Sequence, residues 1–356
     1  MEPEVIIVIG ASTGGLPVLQ RLIAELPPDL PAALCVVWHL PPDGIGLLPE
    51  VLNRARTLPA ANAVDGEDML RGHVYVAPPD RHLLVERGRM RVTRGPKENR
   101  FRPAVDPLFR SAAFAYGPRL IGVVLSGALD DGSAGLRTIK RRGGTVVVQD
   151  PLDAEAPGMP RSAMQATEVD YVVPAAELAA LLVRLSQKQA TALTEEVMEE
   201  DEQTRIEIRI AAEDNALEAG VMQLGAPSPF TCPDCHGVLL ALTDGEQHRY
   251  RCHTGHAFSA DSLLAAVTSS SEEQLWSALR SLEESQLLLT HLGDHFAEAN
   301  QPTLAAVYYQ HASAATTQTQ HVRQALGLHA PLSAERLRQQ ADVLARAGST
   351  GEYKRD

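Results

Sequence analysis

Val5-Ile6-Ile7-Val8-Ile9-Gly10-Ala11-Ser12-Thr13-Gly14-Gly15 passes from five consecutive branched apolar residues into a loop of very small side chains. A run this short and this apolar suits a strand buried on both faces, and the small residues mark its handover to a helix. Leu16, Leu19, Leu22, Ile23 and Leu26 then share one helical face, and Pro27-Pro28 ends it. Strand, tight loop and helix open a βαβ unit, so the fold class depends on whether the pattern recurs. Apolar runs do recur at residues 33–38, 73–77, 120–126, 144–149 and 171–173, with helical patterns between them. The expectation is an α/β fold, a doubly wound and mostly parallel sheet. Residues 82–94 add an antiparallel hairpin turning near Gly88, and Asp106-Pro107 reads as an N-cap and first position for a helix over 108–116.

The loop admits two chemistries. A dinucleotide cradle requires Gly-x-Gly-x-x-Gly, with an acid at the end of the next strand to hold ribose. Here Ser12 stands at the position of closest backbone approach, and His39 closes the next strand. The alternative is Gly-x-Ser-x-Gly over Gly10 to Gly14, a sharp turn that lifts Ser12 above the sheet as a nucleophile. That reading needs a base and an orienting acid at the same sheet edge. His39 supplies the first, and the strand at 120–126 runs into Ser126-Gly127-Ala128-Leu129-Asp130-Asp131-Gly132, supplying either of two aspartates. The backbone amides of Thr13 and Gly14, at the start of a helix, would then face a developing oxyanion.

At 356 residues the chain should hold a main domain and at least one smaller unit. Its net charge of -13 argues against a nucleic-acid or membrane-surface binder. No apolar stretch reaches the roughly 18 to 20 residues of a bilayer span, and Met1-Glu2-Pro3-Glu4 lacks a basic leader, so no membrane insertion and a cytoplasmic address are expected. The divisions read as a catalytic segment (1–188), an acidic linker (189–227), a Cys/His module (228–258), a helical hairpin (259–330) and a polar tail (331–356). Glu195, Glu196, Glu199, Glu200, Asp201 and Glu202 make the linker acidic, and Leu275, Leu279, Leu282, Leu289, Leu292 and Phe296 give the hairpin its spacing.

Four cysteines are present, and Cys35 alone in its strand reads as a packed residue. Cys232-Pro233-Asp234-Cys235 is a tight knuckle, followed by Cys252-His253-Thr254-Gly255-His256. Three thiolates and one imidazole make a closed tetrahedral site of the structural zinc type, with Cys232, Cys235, Cys252 and His256 as ligands. His253 is the alternative, cramped by its bond to Cys252. Segments 239–242 and 249–251 could pair as a hairpin behind it. With few basic residues beyond Arg249 and Arg251, this ribbon suits a protein partner better than nucleic acid.

Gly10 to Gly15, His39-Leu40-Pro41-Pro42, Tyr75 to His82, Arg102 to Ser111, Ser126-Gly127 with Asp131-Gly132, and Gly158-Met159-Pro160-Arg161 together resemble the catalytic domain of CheB-type chemotaxis protein-glutamate methylesterases. The resemblance covers about residues 5–185. It implies Ser12 as nucleophile, His39 as general base and Asp131 as orienting acid, with Asp130 the runner-up. It also implies hydrolysis of glutamate γ-methyl esters on a chemoreceptor-type protein to glutamate and methanol, deamidation of receptor glutamines in some members, and no cofactor for catalysis. A near-neutral or alkaline optimum follows from a neutral histidine base. Two departures stand out: Ala128 replaces a methionine that borders the catalytic histidine in the family, and the catalytic strand begins at Val5 with no receiver domain before it, so no phosphorylation switch in cis is expected. The zinc-ribbon-like extension resembles that of receiver-less members and implies a docking or regulatory role. The rival reading is a catalytically weak or inactive signalling adaptor that binds through the esterase fold and the tail.

Overall fold

The computed structural model describes residues 3–40, 43–191, 201–212, 215–244, 247–333, 336–338, 340–341 and 343–344. The chain divides into two compact units, Met1–Leu263 and Leu264–Asp356.

The first unit opens with β1 (Val5–Ala11), α1 (Gly15–Glu25), β2 (Ala32–Trp38), α2 (Leu48–Leu52), β3 (Ala60–Asn62), β4 (Val74–Val76) and the hairpin β5 (His82–Glu86) and β6 (Arg89–Thr93). It continues through α3 (Val105–Tyr116), β7 (Leu120–Val124), α4 (Ser133–Arg141), β8 (Thr145–Gln149), α5 (Gly158–Ala166), β9 (Tyr171–Val173) and α6 (Ala175–Thr191). Seven strands form one parallel sheet in the order β3-β4-β2-β1-β7-β8-β9. Every residue of β1 is buried, because alternate side chains feed two cores. Val5, Ile7 and Ile9 join Leu19, Leu22, Leu178 and Leu182 from α1 and α6. Ile6 and Val8 join Leu108, Phe109 and Leu136 from α3 and α4 on the other face. The doubly wound expectation therefore holds, and Gly88 turns the β5–β6 hairpin at φ 74.

Three details differ from the sequence reading. Strand β3 is additional; only three residues long at the sheet edge, with Ala61 and Asn62 exposed, it has no apolar run to announce it. Ala104, not Asp106, is the N-cap of α3, and no side chain caps that helix. Asp106 is buried instead, its carboxylate accepting Gly135 N at 2.7 Å and Asn99 Nδ2 at 2.9 Å. Segment 189–227 is not uniformly a linker: it holds the last turn of α6, α7 (Glu202–Ala212), α8 (Ala216–Ala219) and the start of β10 (Gly225–Thr231). Glu195, Glu196, Glu199 and Glu200 lie outside the described residues.

Strand β10 leads into a four-stranded antiparallel sheet with β11 (Val238–Asp244), β12 (Gln247–Cys252) and β13 (Ala257–Ser259). Ile206 and Ile210 of α7, with Ala216 and Val221, pack on Leu240 and Leu242 to give this small sheet its core. A buried ion cluster adds to it. Arg249 and Arg251 turn inward to Glu207 at 2.6 and 3.0 Å, while Glu98 holds Arg251 at 2.9 Å and Arg110 of α3 at 2.5 Å. All five are at most 7% exposed in their side chains, so removing one partner would strand a charge in a dry interior.

The second unit contains most of α9 (Ala260–Glu298), followed by α10 (Pro302–Leu328), the expected helical hairpin. Asn300 at φ 58 closes the first helix, Phe296 stacks on Tyr308 at 5.1 Å, and Tyr309 donates to Asp294 at 2.7 Å. Among the described residues no helix is long and apolar enough to cross a membrane.

Candidate active site

The parallel register Ala11↔Trp38 sets Ser12 and His39 side by side as each chain leaves its strand, and His39 N donates to Ala11 O at 3.1 Å. The loop after β1 is gripped from three sides. Ser12 N donates to Ser126 O at 3.0 Å, Trp38 Nε1 to Ser12 O at 3.1 Å, and Ser126 Oγ to Thr13 O at 2.8 Å. Gly14 adopts φ 72, and a Cβ there would lie 2.6 Å from Glu155 Cβ and 2.7 Å from Ser126 Oγ. At Gly10 a Cβ would meet Val105 at 2.4 Å. These glycines let neighbouring protein segments approach, which is a different use from admitting a pyrophosphate. Among the described residues the Thr13 and Gly14 amides meet no hydrogen-bond acceptor.

His39 Nε2 lies 2.8 Å from Asp131 Oδ2, and both side chains are at most 3% exposed. Asp131 also accepts from Val105 N at 2.7 Å, Gly132 N at 3.0 Å, Asn99 Nδ2 at 3.0 Å and Asp106 N at 3.2 Å. Burial alone would raise this carboxyl, but the bond and charge of His39 and the donors from Val105 and Asn99 outweigh it and hold it below the usual carboxylate range. An ionised Asp131 can only accept, so Nε2 carries a proton toward it, and in the neutral form of the ring the lone pair is then on Nδ1. Nδ1 is buried and has no partner among the described residues. Phe101 covers one ring face, stacked at 3.7 Å and 7°.

Of the two aspartates in the loop, the structure brings Asp131 to His39 and turns Asp130 elsewhere, to Ser259 Oγ at 2.8 Å. Burial pushes the Asp130 carboxyl up to about 7 against that bond, and Asp261, Asp106 and Asp131 add to the rise. Between its ordinary 3.8 and about 7 the folded state therefore holds a proton that the unfolded chain has lost, so this group's contribution to stability falls as pH rises through that window and stays flat above it. Asp130→Asn removes the penalty. Its melting temperature, relative to the parent protein, should be higher at pH 8 than at pH 4.5; an equal difference at both would contradict the assignment.

Cys232, Cys235, Cys252 and His256 come together with their donor atoms all within 4.8 Å of one another. Their neighbouring separations include Cys232–His256 at 3.8 Å, Cys235–Cys252 at 3.6 Å and Cys252–His256 at 3.6 Å. Zn–S bonds of about 2.3 Å in a tetrahedron place ligands about 3.8 Å apart, so the set fits a metal of that kind. Hydrogen bonding from Cys232, against the cost of burial, and from His256 and Thr254 holds the Cys252 thiol well below its ordinary value. His253 is outside the group: it is exposed and its ring lies over Gly237. Cys35 is fully buried in β2, and burial pushes its thiol up to about 12, the behaviour of a packing residue.

Sequence reasoning missed Asn99, Phe101 and the inward turn of Arg249 and Arg251. Asn99 and Arg100 adopt φ 49 and 77, forming a tight turn that no local pattern announces.

Residues 7–182 match the family model for CheB methylesterase. Over 182 residues the chain is 41% identical to a Leptospira interrogans protein provisionally named protein-glutamate methylesterase/protein-glutamine glutaminase, covering 51% of this chain and 94% of that one. It is 36% identical over 189 residues to protein-glutamate methylesterase/protein-glutamine glutaminase 2 of Rhizobium johnstonii, covering 52% of each. The crystal structure of the Thermotoga maritima CheB methylesterase catalytic domain shares 38% identity at a TM-score of 0.49, over 51% of this chain and 97% of that one.

Proposed function

The chain belongs to the CheB methylesterase family, and from that premise we propose that it hydrolyses glutamate γ-methyl esters on a chemoreceptor-type signalling protein, with Ser12, His39 and Asp131 as its triad. The observation that supports the reading is His39: its Nε2 is committed to Asp131, Nδ1 is buried without a partner among the described residues, and its backbone N bonds to Ala11 O next to Ser12, so Nδ1 is the nitrogen left to act as base. Ser12 Oγ attacks the γ-carbonyl as Nδ1 takes its proton, and the amides of Thr13 and Gly14 receive the negative oxygen. Collapse of that intermediate breaks the ester C–O bond, and the proton passes from Nδ1 to the departing methoxide. Methanol leaves and a serine ester of the glutamyl side chain remains. Water then repeats the sequence, losing its proton to Nδ1 and releasing glutamate and free Ser12. A glutamine side chain meets the same parts with ammonia as leaving group. The receptor's signalling helices put the reaction in the cytoplasm, and catalysis uses no cofactor.

Incubation with a methyl-esterified receptor fragment should release methanol in proportion to enzyme. No release at high enzyme concentration would instead favour the adaptor reading, which the comparisons do not favour.

We assign the Cys232, Cys235, Cys252 and His256 group to structural zinc, held with no open position. Protein purified without chelator should carry close to one zinc per chain, and Cys252→Ser should lose it; metal analysis finding none in the parent protein would overturn the assignment. Residues 1–188 form the catalytic segment in this reading, and the ribbon with the helical hairpin is a docking extension for another protein. Arg249 and Arg251, spent in internal ion pairs, offer nothing to a phosphate backbone.

A further inference from the structure

Asn99 has its four hydrogen-bonding positions occupied, on two sides that belong to different parts of the first unit. Its two Nδ2 hydrogens go to Asp131 Oδ1 at 3.0 Å and Asp106 Oδ2 at 2.9 Å. Its Oδ1 accepts from Ser259 N at 3.0 Å and Ser262 Oγ at 3.1 Å, both just past the last metal-group residue. The backbone is clamped as well: Asn99 N donates to Ala257 O at 2.8 Å, and Ala257 N to Lys97 O at 3.2 Å. A backbone N–H can only donate, so Ser259 N dictates that the amide oxygen faces the ribbon. The amide nitrogen must then face the two carboxylates.

The same four-residue turn carries Glu98, which holds Arg251 of β12 at 2.9 Å, and Phe101, which stacks on His39 at 3.7 Å. Arg251 in turn donates to Gly255 O at 2.8 Å, inside the segment joining Cys252 to His256. One short turn thus touches both the base and its orienting acid, and its conformation is held by strands built around the cysteine and histidine group.

We propose that Asn99 is a positioning residue for Asp131, and that the ribbon sets its orientation, so that an intact ribbon is a condition for full turnover. The proposal rests on the triad reading above and on a metal holding the ribbon together. Its consequence is that the extension acts on catalysis through an internal contact, independent of any docked partner. With the ribbon intact, Asn99 supplies a charge-assisted bond that keeps Asp131 in line with His39 Nε2. With the ribbon loosened, Asn99 loses the Ser259 N and Ser262 Oγ bonds that anchor its amide, and Nδ2 can shift away from Asp131 Oδ1.

The test uses the full-length protein and the variants Asn99→Ala, Ser262→Ala and the pair. Methanol release should show kcat lowered about tenfold or more by Asn99→Ala with KM unchanged. Ser262→Ala should lower kcat less, and the pair should match Asn99→Ala alone, because both act through one contact. Chelator-treated parent protein should fall to the Asn99→Ala value, while chelator should leave Asn99→Ala no slower. The His39 Nε2–H proton resonance, assigned by its loss in His39→Gln, provides a readout that needs no substrate: it should shift or broaden in Asn99→Ala and in chelated parent protein. Additive kcat losses, or an Asn99→Ala protein that melts lower but keeps the parent kcat and resonance, would overturn the proposal. If the parent protein releases no methanol, the esterase reading fails, and the resonance still decides whether the ribbon positions the pair through Asn99.

Discussion

Ser12→Ala is expected to lower kcat for a glutamyl methyl ester by about 10,000-fold to 1,000,000-fold while leaving KM and the melting temperature close to those of the parent protein. In the proposed mechanism the large effect on rate follows from the loss of the group that would form the covalent ester, since water would have to attack the substrate directly. The small effect on stability follows from the local structure. The hydrogen bonds recorded for Ser12 run through its backbone, to Ser126 O and from Trp38 Nε1 and Gly15 N, and alanine keeps all three. Residual hydrolysis would come from the amides of Thr13 and Gly14 together with substrate binding. Methanol release by Ser12→Ala at the parent rate would remove Ser12 from the mechanism.

Asp131→Asn should lower kcat by about 10,000-fold, for a reason that concerns one proton. Asparagine can keep its oxygen toward Asn99 Nδ2, Gly132 N and Asp106 N, which all reach Oδ1 in the parent protein. Its NH2 then replaces Oδ2, which His39 Nε2 and Val105 N both approach. An NH2 there donates to Nε2, so the ring proton moves to Nδ1 and the lone pair needed for Ser12 is gone. It also meets the Val105 N–H, a donor against a donor, and leaves that buried group unsatisfied at a cost of about 1–3 kcal/mol. Asp131→Asn should therefore melt lower than the parent, unlike Ser12→Ala. An Asp131→Asn protein within tenfold of the parent kcat would show that the acid's charge and acceptor role are dispensable.

Much of this site was legible because it lies on a regular frame. In a parallel sheet neighbouring strand ends converge, so a serine after β1 and a histidine after β2 had to become neighbours once the apolar runs were recognised. The four metal-group residues were legible for a similar reason, since a knuckle and a nearby Cys-x3-His segment have short reach. The acid was different. Asp130 and Asp131 are adjacent in a loop, and only the family register preferred the second; in the structure, Asp131 turns to His39 while Asp130 turns to Ser259. Asp106 looked like a helix cap and became a buried acceptor, pushed up to about 7 by burial and by Asp131, because the start of α4 and the turn at Asn99 meet its carboxylate.

The doubly wound sheet, the Ser12 loop, its histidine neighbour and the cysteine and histidine cluster were legible in the sequence alone, because each follows from periodicity, from short spacing or from the convergence of neighbouring parallel strand ends. Tertiary structure alone decided how Asn99 is used and where Arg249 and Arg251 point. Asn99 meets residues 160 and 163 positions away, and Arg251 meets a glutamate 153 positions away. Partnerships across such distances leave no local pattern, since what selects them is the requirement that each buried donor, acceptor and charge find its complement when two separately patterned parts of the chain pack together.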